Sequence, residues 1–137
     1  MPSTELLLPM FALVVWTFIA VGRLFVHRVG LVRKGTIKPG FYGTFQGSTE
    51  PDSAIQLSRN FINLLEAPVL FYVGCLAAMS LDEVTRPLWL LAWAYVGLRV
   101  VHSLVHTTFN ELRVRIALYF ASWLVLLGFW GTLVSSV

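Results

Sequence analysis

Three polar residues share one face of a predicted helix near the middle of the chain. Arg59, Asn63 and Glu66 follow one another at spacings of four and three, which places them on the same side of an α-helix. The helix continues into an apolar run, so the Glu66 carboxylate would lie within a membrane-spanning segment. A charge at the centre of such a segment costs about 2.5 to 3.5 kcal/mol by insertion scales. We therefore expect this acid to face a partner, a ligand or a wet cavity.

Two further polar stripes lie on the helices that follow. They consist of Arg99, His102, His106 and Asn110, and of Arg115, Tyr119 and Ser122, all at spacings of three or four. Arg99 and Glu66 lie at matching depths, about 15 Å from the same end of their helices at 1.5 Å per residue. The two could form an ion pair that only fixes helix register. The whole set, however, has more donors than one carboxylate requires, which indicates an anionic ligand with several acceptors.

The two histidines also allow a different site. His102 and His106 at i, i+4 could bind a metal with Glu66 as a third ligand. Arg99 lies one helical turn from His102 and would repel a cation. We therefore favour an anion site and predict no metal.

Composition defines the class of protein that carries these stripes. The chain has 137 residues, of which 57% are hydrophobic and 12% charged, and its mean hydropathy is +0.75. This is too apolar for a soluble domain and predicts a small all-α integral membrane protein. The net charge of +3 does not indicate nucleic acid, because the basic residues flank apolar segments and act as topology signals. Cys75 is the single cysteine and cannot form an intrachain disulfide.

Four spanning helices are predicted in one domain that covers residues 1–137. They lie at about 4–28, 54–80, 86–109 and 110–136, with a polar loop at about 29–53. The other connections are short, which favours an up-down bundle. Basic residues concentrate in the first and third connections, so the positive-inside rule places these at the cytoplasm and both termini on the opposite side. All the polar stripes then fall in the cytoplasmic half of the bundle.

Together these motifs resemble the MAPEG family, the membrane-associated proteins in eicosanoid and glutathione metabolism. The shared pattern is R-x-x-x-N-x-x-E early in the second helix with a proline soon after, then R-x-x-H in the third helix and an arginine opening the fourth with a tyrosine four residues on. It covers all four helices in order. The resemblance implies a homotrimer of four-helix subunits, with glutathione bound between neighbouring subunits toward the cytoplasmic side.

The resemblance also implies roles for individual residues. Arg59, Asn63 and Glu66 match the positions that hold the glutathione backbone and its charged ends. Arg115 matches the arginine that contacts the tripeptide near its thiol. An arginine there would favour the thiolate over the thiol, and the thiolate is the nucleophile. Arg115 is therefore the expected catalytic residue.

The third and fourth helices match the family with two departures. Arg99 and His102 correspond to positions that line the same cleft in one branch of the family, and Tyr119 to a tyrosine one turn beyond the arginine. His106 stands where well-studied members have a glutathione-contacting tyrosine, and Ile116 where the prostaglandin-forming branch has a serine. Histidine can still donate a hydrogen bond, so His106 remains a predicted glutathione contact.

The expected function is that of a glutathione-dependent transferase or peroxidase whose lipophilic electrophiles arrive through the bilayer. The family places an arginine of the first helix near the substrate, and Arg23 or Arg28 could correspond to it. Spacing does not decide between them, and Arg28 could instead be a topology anchor at the membrane surface. The alternatives are a non-catalytic member that binds a lipid or a partner, and a small transporter that uses Glu66, Arg99 and the histidines as a relay. The short loops favour a bacterial inner membrane over the endoplasmic reticulum.

Overall fold

The computed structural model describes residues 2–137, and the part of the chain that it describes is helical with no strand. A 3₁₀ turn at Ser3–Leu6 precedes the helices α1 (Leu7–Arg33), α2 (Phe41–Thr44), α3 (Asp52–Ser80), α4 (Arg86–Thr107) and α5 (Leu112–Ser136). Four segments, Thr4–Arg33 and the helices α3, α4 and α5, are long and apolar enough to cross a membrane. The predicted four-span, all-α architecture is therefore confirmed.

Aromatic packing joins α3, α4 and α5 in the buried core. The ring of Phe71 stacks on Tyr95 with centroids 4.8 Å apart and meets Phe129 edge-on at 6.2 Å. All three side chains are almost completely buried. α1 packs mainly against α3, while α4 and α5 form the most extensive helix pair. This packing fixes the relative position of the three helices that carry the polar stripes.

The first spanning helix ends later than the expected residue 28. α1 continues to Arg33 because Val29, Leu31 and Val32 extend its apolar sequence. It ends where Gly35 adopts a left-handed φ of 73°, a conformation that glycine reaches without strain. The backbone N–H of Thr36 then donates to the Leu31 carbonyl at 3.0 Å and closes the helix end.

The connection between α1 and α3 packs against α1 through the side chain of Arg28. The Arg28 guanidinium donates two hydrogen bonds to the Glu50 carboxylate, at 2.8 Å and 3.0 Å. It also lies over the rings of Tyr42 and Phe45, with 5.2 Å and 5.5 Å to their centroids. Phe41, the first residue of α2, is buried beneath this cluster. The connection is therefore an ordered part of the fold.

The α4–α5 turn is four residues long, whereas the sequence predicted adjoining helices at 109 and 110. Asn110 adopts a left-handed φ of 49°, and its N–H donates to the Val105 carbonyl at 2.9 Å, which closes α4. Glu111 then caps α5, because its carboxylate accepts from the N–H of Val114 at 2.7 Å. The turn places Arg115 in the first turn and a half of α5, beside the end of α4.

Candidate functional site

A cavity of about 620 Å³ is lined by side chains from α3, α4 and α5 and by Glu50 of the connection before α3. Its walls come from the first half of α3, the last turns of α4 and the first turns of α5. The structure brings seven of the eight predicted site residues together there, namely Arg59, Asn63, Glu66, His102, His106, Arg115 and Tyr119. Arg99 is the predicted residue that does not line it. Residues from all three polar stripes therefore line one cavity.

The α3 wall presents its charges toward the outside of the subunit. Arg59 and Glu66 are exposed, and Asn63 between them is half-buried. The ion pair considered between Glu66 and Arg99 does not form in the part of the chain that the structure describes, where Arg28–Glu50 is the one salt bridge. The Glu66 carboxylate thus has no ion-pair partner among residues 2–137.

Arg99 lies behind the cavity and is completely buried, with 0% of its surface exposed. One of its Nη atoms donates to the main-chain carbonyl of Asn63. Its guanidinium also lies over the ring of Tyr119, 5.9 Å from the centroid. The Nε and Nη1 atoms are buried without a hydrogen-bond partner among residues 2–137. Arg99 therefore links α4 to α3 and to Tyr119 of α5, and it adds positive charge behind the cavity.

The two histidines and Tyr119 form a continuous aromatic wall. The ring of His102 lies 5.8 Å from His106 and 5.9 Å from Tyr119, measured between centroids. Both histidines are buried. The His106 main-chain carbonyl accepts a hydrogen bond from the Gln56 side chain, which ties the end of α4 to α3. Within residues 2–137 no group of three or more His, Cys, Asp or Glu side chains is arranged to hold a metal.

Arg115 is oriented by the turn that precedes α5. One guanidinium nitrogen, Nη1, donates to the Asn110 Oδ1 atom at 2.7 Å. Because the left-handed conformation of Asn110 also closes α4, one residue both ends that helix and positions the arginine. The side chain is half-buried at the cavity, opposite the α3 residues.

Five lining residues were not predicted, and they fall into two groups. The first group lies on the same helix faces as predicted site residues: Ile55, Ser58 and Ile62 near Arg59 on α3, and Ile116 beside Arg115 on α5. Helical spacing could therefore have predicted these four residues. Glu50 comes from the connection, where no local pattern marks it. Its position depends on the long-range pair with Arg28.

Neither candidate arginine of the first helix lines the cavity. Arg28 reaches it only through Glu50, whose side chain is part of the wall. The Arg23 guanidinium donates to the Thr107 Oγ1 atom at 3.3 Å, at the end of α4. Within the subunit, Arg28 is thus connected to the site through an ion pair and Arg23 is not.

The fold and the site together define a polytopic membrane protein with a polar cavity between its helices, lined by two arginines and two glutamates. The model of the MAPEG family matches residues 6–135 of the chain, which is nearly its whole length. The protein belongs to the MAPEG family, whose members include glutathione transferases and related enzymes. Comparisons with curated proteins and with solved structures gave no match.

Proposed function

We propose that the protein is a glutathione-dependent transferase or peroxidase that acts on lipophilic electrophiles within the membrane. The observation that carries this proposal is the single cavity shared by Arg59, Asn63, Glu66 and Arg115. Family membership supports it, because MAPEG members include enzymes of this type.

The lining residues fit the charge pattern of glutathione. The cavity is also large enough for glutathione, since its volume of about 620 Å³ lies within the range of about 300 to 1,000 Å³ that is usual for small-ligand sites. The tripeptide has two carboxylates and one ammonium group. Arg59 and Asn63 supply donors for carboxylate and amide oxygens, and Glu66 supplies an acceptor for the ammonium group. Buried Arg99 adds further positive potential behind these groups.

Arg115 is the residue that we assign to thiolate stabilisation. When bound, glutathione supplies a sulfur nucleophile that can bond to an electrophilic carbon or reduce a peroxide. A guanidinium at the cavity wall lowers the energy of a neighbouring anion more than that of a neutral thiol. Asn110 holds the guanidinium in place before the ligand arrives, so little reorganisation is needed.

The other substrate would reach the cavity from the lipid side. Ile55, Ile62 and Ile116 are exposed apolar residues on the cavity wall. They offer an apolar surface next to the charged groups that we assign to glutathione. This arrangement suits a lipophilic acceptor that dissolves first in the bilayer.

We further propose that a second copy of the chain covers the site, as in a homotrimer. Arg59 and Glu66 are exposed on the isolated subunit although they lie within a spanning helix. Contact of such charges with lipid is costly, so a neighbouring subunit or ligand must shield them. We also propose that both termini lie away from the cytoplasm. In that orientation the cavity opens to the cytoplasmic side, where glutathione would enter. We place the protein in a bacterial inner membrane in preference to the endoplasmic reticulum.

The test is glutathione binding and turnover by detergent-solubilised protein. Binding is measured by isothermal titration calorimetry, and turnover by conjugation of a generic aromatic electrophile and by reduction of an organic hydroperoxide. Asn63→Ala and Arg59→Ala should weaken binding by about tenfold or more, since each removes hydrogen bonds to a charged or amide group. Arg113→Ala is the matched control, because Arg113 is exposed, lies in the same helical turn as Arg115 and does not line the cavity.

The outcomes separate the possible functions. Glutathione binding with turnover supports an enzyme. Binding without turnover identifies a non-catalytic member of the family. No binding, with the Arg59 and Asn63 variants indistinguishable from the wild-type protein, removes the proposal.

A further inference from the structure

A second cavity lies away from the glutathione site, at the end of α1. Its volume is about 510 Å³, and it lies between the last turns of α1 and the connection that contains α2. The walls are mainly apolar and are formed by Phe25, Val29, Val32, Tyr42 and Phe45. Phe25 and Phe45 are exposed over more than half of their surface, so the cavity opens outward and not into the core.

Two arginines stand at this apolar cavity. Arg28 and Arg33 both line it. Arg28 uses Nε and Nη2 for the Glu50 carboxylate. Arg33 is exposed in the last turn of α1 and has no ion-pair partner in the described part of the chain. A positive charge therefore lies next to a hydrophobic cleft without an acid to balance it.

The position of the cavity matches the level of lipid headgroups. α1 is a spanning helix, and Arg33 is its last residue, so the cleft begins in the apolar part of the helix and ends at the charged helix end. Lys34 and Lys38 follow directly in the sequence and add positive charge to the same end. Basic pockets at this level attract anionic lipids, which are enriched in the cytoplasmic leaflet.

We propose that this cleft is a binding site for an anionic phospholipid, with an acyl chain against Phe25, Val29 and Val32 and the phosphate at Arg33. A free anion would gain nothing from the apolar walls, and a neutral hydrocarbon would gain nothing from Arg33. A molecule with both parts satisfies both. The cleft shares no lining residue with the cavity between α3, α4 and α5, although the Arg28–Glu50 ion pair joins the two walls.

The experiment is native mass spectrometry of the detergent-solubilised full chain, titrated with lipid. Phosphatidylglycerol is compared with phosphatidylcholine of the same acyl chains, and the apparent Kd of the first bound lipid is read from the spectra. Arg33→Gln removes the unpaired charge, and Lys34→Gln is the matched control, since Lys34 is the adjacent exposed cation and does not line the cleft. Val29→Trp fills the cleft without changing charge.

We expect phosphatidylglycerol to bind several-fold more tightly than phosphatidylcholine. Arg33→Gln should weaken it by about fivefold, the loss typical of one basic residue at an anionic surface, and Lys34→Gln by less than about twofold. Val29→Trp should weaken both lipids, with helicity checked by circular dichroism.

Three results would overturn the lipid site. Equal affinity for phosphatidylglycerol and phosphatidylcholine would show that the lipid's net charge does not contribute to binding. Equal losses in Arg33→Gln and Lys34→Gln would mean diffuse attraction and not a site. If Val29→Trp changes the oligomeric state and leaves lipid binding intact, the cleft is a contact between copies of the chain.

Discussion

Replacing Arg115 with alanine should reduce turnover while leaving glutathione binding nearly intact. Removing one preorganised donor from a developing charge typically lowers kcat by about 100- to 1,000-fold. Arg115 is only half-buried, so solvent screens part of its field. We therefore expect a loss in kcat of about 10- to 100-fold, or about 1.4 to 2.7 kcal/mol of transition-state stabilisation. The Kd for glutathione should change by less than about threefold.

The assay is steady-state conjugation at saturating glutathione, with the Kd measured separately by calorimetry. In Arg115→Ala the rate should also rise at higher pH than in the wild-type enzyme, because the thiolate loses a cation that favours it. A purely structural role would not produce this shift. Arg113→Ala should behave like the wild-type protein. A loss of affinity as large as the loss of kcat, or an unshifted pH profile, would refute the assignment.

Three further predictions concern binding, the connection and helix packing. Glu66→Gln should raise the Kd for glutathione by about tenfold in calorimetry with little change in kcat, because it weakens the acceptor for the ammonium group; an unchanged Kd would contradict that role. Arg28→Met should speed hydrogen exchange in residues 34–51 by about tenfold or more, since Glu50 loses charged hydrogen bonds of about 1.5 to 3 kcal/mol, and unchanged exchange would show that the pair does not hold the connection. Gly74→Ala should lower the melting temperature in detergent, because the added Cβ would lie 3.0 Å from a ring carbon of Phe129 on α5. The control is Gly97→Ala, whose added Cβ meets nothing within 4 Å and should leave the melting temperature unchanged. Equal melting temperatures for the two variants would contradict this packing.

The sequence predicted which residues share a helix face better than it predicted where the helices end. Arg59, Asn63 and Glu66 repeat at helical spacing inside an apolar segment, and such periodicity survives in the structure because helix geometry alone places them on one face. The helix ends depend instead on single residues in left-handed conformations. Gly35 and Asn110 close α1 and α4, and composition alone does not locate such residues.

Long-range pairs account for what periodicity missed. Glu50 joins the cavity wall because Arg28, twenty-two residues earlier, holds its carboxylate. Arg99 has the spacing of a lining residue, yet its guanidinium turns to the Asn63 carbonyl and the Tyr119 ring. Spacing predicts which face of a helix a residue occupies, whereas the direction of a long side chain is decided by the partners that tertiary packing offers.

The most direct measurement is a density map of the detergent-solubilised protein with glutathione added. We predict that the tripeptide lies between α3, α4 and α5, with a carboxylate at Arg59, the ammonium group at Glu66 and the sulfur beside Arg115. Tripeptide density elsewhere, or lipid filling this cavity in the presence of saturating glutathione, would contradict the proposed site.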